Sequence, residues 1–157
     1  MKGVFEIVSI NVSDRTGVRK RPVESVALKE GSGVVGDAHA GLIENRQVSL
    51  LAVEEIEKAS AKLGEKCSLV DGKASLEPGD FAENITTRGV ALHELPLGTI
   101  LFIVKAKLEV SKIGKECHAD CEVRRLVGDC VMPRKGIFAR VVAGGEVHRE
   151  DSCHYSF

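Results

Sequence analysis

The apolar residues of this chain come in short runs, and glycine or proline soon closes each run. Runs of that length, bounded in that way, read as β-strands, and many short strands in one chain point to a barrel or a sandwich. The spacing predicts strands at residues 4–10, 23–28, 48–51, 84–87 with 90–92, 100–104, 108–111 and 137–142. In the second of these Val23, Ser25 and Ala27 fall on one side. Gly31 and Gly33, Gly79, Gly98, Gly128 and the pair Gly144-Gly145 supply the turns. One helix stands out. Val53, Ile56, Ser60 and Leu63 recur at helical spacing, Glu54 and Glu55 occupy the first turn where the dipole favours acids, and Gly64 can cap the end. A shorter helix is expected over 119–126, and 66–78 reads as an exposed loop. No internal repeat, linker or low-complexity segment interrupts the 157 residues, so one domain, 1–157, is expected. The expected fold is mostly β, a largely antiparallel and closed or nearly closed barrel with one main helix.

Composition removes several functions. A net charge of −1 gives no global attraction to nucleic acid or an anionic membrane. Aromatic residues make up only 4% and tryptophan is absent, which is poor material for a base-stacking surface. The first ten residues are too short and too charged, with Lys2 and Glu6, for a signal peptide, and no apolar run could span a bilayer. A cytoplasmic location is therefore expected. In that reducing compartment the five cysteines favour metal binding or catalysis over disulfides.

The cysteines concentrate in IGKECHADC, residues 113–121, and in GDCVMPRKGIFARV, residues 128–141. Cys117 follows a strand, has Lys115 and His118 beside it, and precedes a possible helix start. Nearby cations and helix N-termini lower a thiol's pKa, which makes Cys117 the best candidate for a reactive thiol. Cys121 lies four residues on, on the same face if the stretch is helical, and Cys130 can fold back across a turn. The competing reading is packing, since free cysteine often behaves as a small buried hydrophobe; Cys67 and Cys153 are read that way. A third reading is zinc held by Cys117, Cys121 and Cys130 with His118 or His39, although the spacing forms no pair of zinc knuckles.

Two further segments carry anion signals. Residues 33–41, GVVGDAHAG, form a glycine-rich loop whose N–H groups could approach a phosphate, or a plain turn and bulge. The loop matches neither a P-loop nor a dinucleotide fingerprint. Arg46, Arg88, Arg124, Arg125, Arg134 and Lys135 could each grip an anion, and Arg134-Lys135 stand out by lying between Cys130 and the next strand. Asp80 and Glu83 lack a second motif that would make them an acid–base pair, and no nucleophile elbow announces Ser-His-Asp catalysis.

Taken in order, GDAHAG (36–41), RQVSLLA (46–52), PGDFAENITTRG (78–89), LPLGTILFI (95–103), IGKECH (113–118), GDCVMPRKGIFARV (128–141) and the glycine pair at 144–145 resemble the MOSC family, named after the C-terminal domain of molybdenum-cofactor sulfurase. The resemblance runs from near the start to about residue 150. It is closest to the small stand-alone bacterial or archaeal type. It implies a β-barrel and a functional cysteine at Cys117, which in relatives is proposed to carry sulfur or to ligate the molybdenum of a pterin cofactor. It also implies a molybdenum or tungsten pterin, or a precursor, with Cys117 as a metal ligand. Gly36, Asp37, His39, Gly41, Arg46, Asn84, Lys115 and Arg134 are the candidates to hold that cofactor, and Cys121 and Cys130, by their spacing from Cys117, are further candidate metal ligands. Loop 36–41 and segment 134–136 are expected to meet the Cys117 region in one pocket, with Cys117 partly accessible. The implied role is cofactor maturation, as a sulfur carrier or sulfurtransferase, with cofactor-biosynthesis proteins or molybdoenzymes as partners. Alternatives are a molybdenum-dependent reductase of N-hydroxylated compounds and a zinc-stabilised binding domain. Cys121 and Cys130 depart from the general family pattern. The sulfurase's desulfurase domain is absent, so no pyridoxal phosphate is expected, and so is the extra N-terminal domain of the amidoxime-reducing relatives.

Overall fold

The computed structural model describes residues 1–114, 122–128 and 130–157. In chain order these form β1 (Lys2–Val12), β2 (Arg21–Val23), β3 (Ser25–Lys29), β4 (Gly33–Val34), β5 (Val48–Ala52), α1 (Val53–Leu63), β6 (Ile85–Arg88), β7 (Ile100–Ile103), β8 (Ala106–Ile113), α2 (Glu122–Val127), α3 (Met132–Lys135), β9 (Ile137–Ala143), β10 (Gly145–His148) and β11 (Ser152–Ser156). Strands β11, β7, β8, β9, β5, β6 and β1 pair in that order, and β1 pairs again with β11, so seven strands close into a barrel. β2 extends the sheet beside β1, while β10, β3 and β4 make a small second sheet. Every barrel pairing is antiparallel except β5 with β6, where α1 lies on the long connection that a parallel pair requires.

β1 makes closure possible because it serves three partners. It pairs with β11 from Lys2 to Glu6, with β6 from Glu6 to Ile10 and with β2 from Ile10 to Val12. Its register against β6 skips Val8, a bulge that bends the strand and shifts its inward phase from Phe5 and Ile7 to Ile10.

Two apolar clusters follow from strand alternation. Ile10, Leu50, Ile85, Leu101, Leu108 and Ile137 belong to the barrel interior. Leu51 points the other way and joins Ile56 of α1 with Cys67, Val70, Leu76, Phe81, Met132 and Phe138 in a second cluster. Burying a side chain such as Leu51 contributes roughly 1.5–3 kcal/mol, so α1 is fixed to the wall mainly by its apolar stripe. Gly64, at φ 53°, ends α1 with its N–H on the Ser60 carbonyl.

The structure revises several sequence expectations. The strand expected at 23–28 divides at Glu24, because β2 joins β1 whereas β3 joins β10. Residues 90–92 are not a strand, and a 3-10 turn, Leu92–Glu94, begins there. The loop expected at 66–78 opens inside a 3-10 turn, Gly64–Leu69, and buries Cys67, Val70 and Leu76 beneath α1. α2 falls on the end of the helix expected over 119–126, of which residues 119–121 lie outside the described residues. β11, which closes the barrel, was not expected. Only Cys153 on it is fully buried, and His154 stacks on Phe102 with centroids 4.5 Å apart.

Candidate functional site

A cleft of about 250 Å³ opens over the second cluster. Its rim comes from Thr16 to Arg19 after β1, from His39, Leu42, Ile43 and Arg46 in the loop before β5, and from Glu122 of α2. Its floor is Ser49, Phe81, Ala82, Cys130, Met132 and Phe138. The walls are mostly apolar with a few polar groups converging, the usual chemistry of a small-molecule site.

The turn holding His39 is built on a buried ion pair. Asp37 Oδ1 accepts from the Ser13 N–H at 3.0 Å and from the Lys20 ammonium at 2.8 Å, while Oδ2 accepts from the His39 N–H at 3.1 Å. Burial pushes the Asp37 carboxyl up, but hydrogen bonds from His39, Lys20 and Ser13 outweigh it and hold the group well below the usual carboxylate range. The Lys20 side chain is fully buried. Its ammonium also sits 3.0 Å from His39 Nδ1 and 3.0 Å from Ser13 Oγ. An ammonium can only donate, so His39 Nδ1 is the acceptor and the ring proton resides on Nε2. The 3.6 Å from Nδ1 to Asp37 Oδ2 is too long to compete.

Arg46 and Phe138 form a second feature. The guanidinium carbon lies 5.7 Å from the ring centroid, within cation–π range. Arg46 makes no ion pair with a carboxylate among the described residues. Arg19, also on the rim, is engaged in ion pairs: its three nitrogens face Asp71 at 2.7 Å, Asp80 at 3.7 Å and Glu122. Burial alone would lower the Arg19 pKa, but the hydrogen bonds and charges of Glu122 and Asp71 prevail and hold it above its ordinary value.

The residues proposed from sequence are distributed unevenly. His39, Arg46 and Cys130 line the cleft together. Gly36 lines a different groove with Val12 and Val35. Asp37 lies beneath the rim with its carboxylate committed to Lys20. The N–H of Gly41 serves the Ser32 carbonyl. Asn84 is fully buried; its Oδ1 accepts from the Ser49 N–H at 3.1 Å and its Nδ2 donates to the Asn11 carbonyl at 3.2 Å, which fixes Ser49 in the floor. Of residues 134–136 none is among the described cleft lining, because the single turn of α3 puts Met132 on the cleft and leaves Arg134 exposed and Lys135 beside His93, 3.3 Å away. Cys67 and Cys153 are buried in the two clusters. Burial, with the Asp151 charge, pushes the Cys153 thiol up to about 12.

Lys115, Cys117, His118 and Cys121 lie outside the described residues. The residues flanking them are well anchored. Gly114, at φ 69°, donates its N–H to the Gly136 carbonyl at 2.7 Å, and a Cβ there would collide with the Pro133 carbonyl. The Glu122 N–H donates to the Gly17 carbonyl at 2.9 Å. Among the described residues no three His, Cys, Asp or Glu side chains are grouped to hold a metal ion. No described helix is long and apolar enough to cross a membrane.

The sequence reading missed Lys20, Arg19 and the apolar walls. Arg19 to Arg21 look like an ordinary solvated basic run. Only the return of Asp37, 17 residues on, makes Lys20 a buried partner.

A seven-stranded barrel with one crossover helix and an apolar cleft rimmed by His and Arg defines a small β-barrel protein with a candidate ligand cleft. Residues 35–154 match the MOSC domain model, and the chain belongs to that family, which is associated with the molybdenum cofactor. Among solved structures it is similar to the YUAD protein from Bacillus subtilis, with a TM-score of 0.76 at 19% identity, covering 100% of this chain and 98% of that one. It is also similar to YiiM from Escherichia coli, with a TM-score of 0.71 at 18% identity over 99% and 70% of the two chains. For YiiM from Geobacillus stearothermophilus the TM-score is 0.73 at 20% identity, over 98% and 75%. At these identities the likeness is one of fold. No curated protein matches the chain.

Proposed function

We propose that this chain binds a molybdenum or tungsten pterin, or a precursor of it, in the cleft, and that Cys117 handles the cofactor's sulfur or metal during maturation. The observation that carries this reading is the meeting of His39, Arg46 and Cys130, from three separate motifs, on one apolar cleft. The residues present suit such a ligand. Phe81, Phe138 and Met132 offer surface to a flat ring system, and Arg46 offers a two-pronged donor to a phosphate. A cysteine thiolate is a soft ligand fitted to such a metal. When bound, the cofactor would supply a metal centre able to exchange sulfur and oxygen ligands.

The chain's own residues would do the rest. Arg46 would hold the anionic end, and the aromatic walls would exclude water. His39, with its Nδ1 accepting from the Lys20 ammonium, would present an Nε2–H donor to the ligand. Cys117 precedes the cleft residue Glu122 by five positions. An unperturbed thiol is only a few per cent thiolate at neutral pH, and a cation such as Lys115 would raise that fraction. The sulfur or the finished cofactor would pass in the cytoplasm to or from a biosynthesis protein or a molybdoenzyme.

The test is metal and pterin analysis of the protein purified from a host that makes the cofactor. Molybdenum or tungsten together with pterin fluorescence is the expected result. Zinc alone, one per chain, overturns the reading in favour of a zinc-stabilised domain. Turnover of a hydroxylamine substrate by the loaded protein replaces maturation with reduction as the function.

A further inference from the structure

We propose that Lys20, buried outside the cleft lining, is a positioning residue that sets the cleft's specificity: by donating to His39 Nδ1 it holds His39 as the Nε2–H tautomer, so that His39 and Arg46 together select an oxyanion. The inference rests on the cleft reading above and deepens it, by naming the chemistry of the ligand end that these two residues meet. A neutral imidazole carries one donor and one acceptor, so a solvated histidine would accept a ligand's N–H as readily as it would donate. His39 has lost that choice. The Ser13 hydroxyl gives its own proton to the Arg15 carbonyl at 2.9 Å and Asp37 is a carboxylate, so both accept from the Lys20 ammonium, as Nδ1 does. Asp37 Oδ2 fixes the residue a second time through the His39 N–H, at 3.1 Å.

The ring nitrogen left for the cleft is Nε2, and it carries the proton. Arg46, from the same loop before β5, can only donate. A ligand end that meets both must therefore bring acceptors. A phosphate or another tetrahedral oxyanion such as molybdate qualifies, and an ammonium or an amide N–H does not. Lys20 decides this. Without its ammonium, the Asp37 carboxylate, with Oδ2 3.6 Å from Nδ1, would be the partner at hand for the ring. It would draw the proton to Nδ1 and leave Nε2 as an acceptor. An oxyanion would then meet a lone pair where it now meets a donor.

Long-range proton–nitrogen NMR spectra of the histidine-labelled full chain, taken at about pH 8, above the ordinary imidazole range, read the tautomer, and His39→Gln assigns the signal. Titrations with inorganic phosphate and, separately, with molybdate read the selectivity. The wild type should show the Nε2–H form alone and bind phosphate or molybdate; binding of neither overturns the oxyanion subsite. Lys20→Met should show the Nδ1–H form and bind the anion roughly tenfold more weakly, as expected for loss of one charge-assisted hydrogen bond. Because Lys20→Met strands the Asp37 carboxylate, the double variant Lys20→Met/Asp37→Leu decides: it should regain stability, show both tautomers and keep the weakened binding. A purely structural lysine would regain both. A double variant that binds as the wild type does overturns the role of Lys20, and so does a wild-type His39 with its proton on Nδ1. Anion binding by a protein that takes up no pterin in a cofactor-producing host overturns the function proposed above and leaves this inference standing. Pterin retained equally by the wild type and the double variant does the reverse.

Discussion

Replacing Glu83 with Gln should remove a pH dependence that this one side chain imposes on the barrel. Glu83 is fully buried. Its Oε2 accepts from the Gly79 N–H at 3.0 Å and the Thr86 hydroxyl at 2.6 Å, and its Oε1 has no partner among the described residues. Burial pushes the carboxyl up to about 7 from an ordinary 4.5; the Asp80 charge adds to this, and the bonds from Gly79 and Thr86 oppose it. With the folded pKa raised, the unfolded chain releases its proton first. The stability associated with neutral Glu83 is therefore complete below 4.5 and is lost as the pH rises to about 7. The gap amounts to about 3 kcal/mol. Glutamine has the shape of the protonated acid, so it should match wild type at low pH and exceed it by about 3 kcal/mol near pH 8, or roughly 6–12 °C in Tm. Asp37 stays ionised through this window and leaves the difference untouched. Urea denaturation of both proteins at about pH 4.5 and about pH 8 measures it. A stability difference that does not grow with pH refutes the reasoning.

Other consequences follow from the same geometry. Lys20→Met should cost about 3–5 kcal/mol by urea denaturation, because it strands the Asp37 carboxylate in the interior, and the double variant with Asp37→Leu should recover most of that loss. The Asp37 contribution is present above the ordinary carboxylate range and should disappear as the pH falls below it, seen as a falling Tm in acid that the double variant lacks. Gly114→Ala should destabilise by about 2 kcal/mol or more, since it adds a collision with the Pro133 carbonyl to a left-handed backbone, and a Tm within a degree of wild type would contradict it.

Much of the barrel was readable because its physics is local. Alternation and glycine punctuation mark β1, β5, β7, β8 and β9, and helical spacing with two early acids marks α1 to the residue. β11 was missed because closure depends on a partner far away in sequence, and a strand with one buried side chain carries little periodicity of its own. The lining of the candidate cleft was legible in part, at His39, Arg46 and Cys130, where chemistry and motif coincide. It was illegible where burial reverses a residue's usual habit. Lys20 belongs to a basic run, and nothing local says that one member turns inward to Asp37. Asn84 shows the converse: a residue in a strong motif whose amide is committed to holding Ser49 and Asn11.

The central claim is that the chemistry sits on Cys117, and the most direct test compares Cys117→Ser with Cys67→Ser, a thiol buried under α1. Both proteins would be purified from a cofactor-producing host and assayed for bound pterin, for molybdenum or tungsten, and for sulfur bound as persulfide or on the metal. The account predicts that Cys67→Ser retains what wild type holds and that Cys117→Ser loses the bound sulfur and most of the metal. Equal retention by the two variants would contradict it.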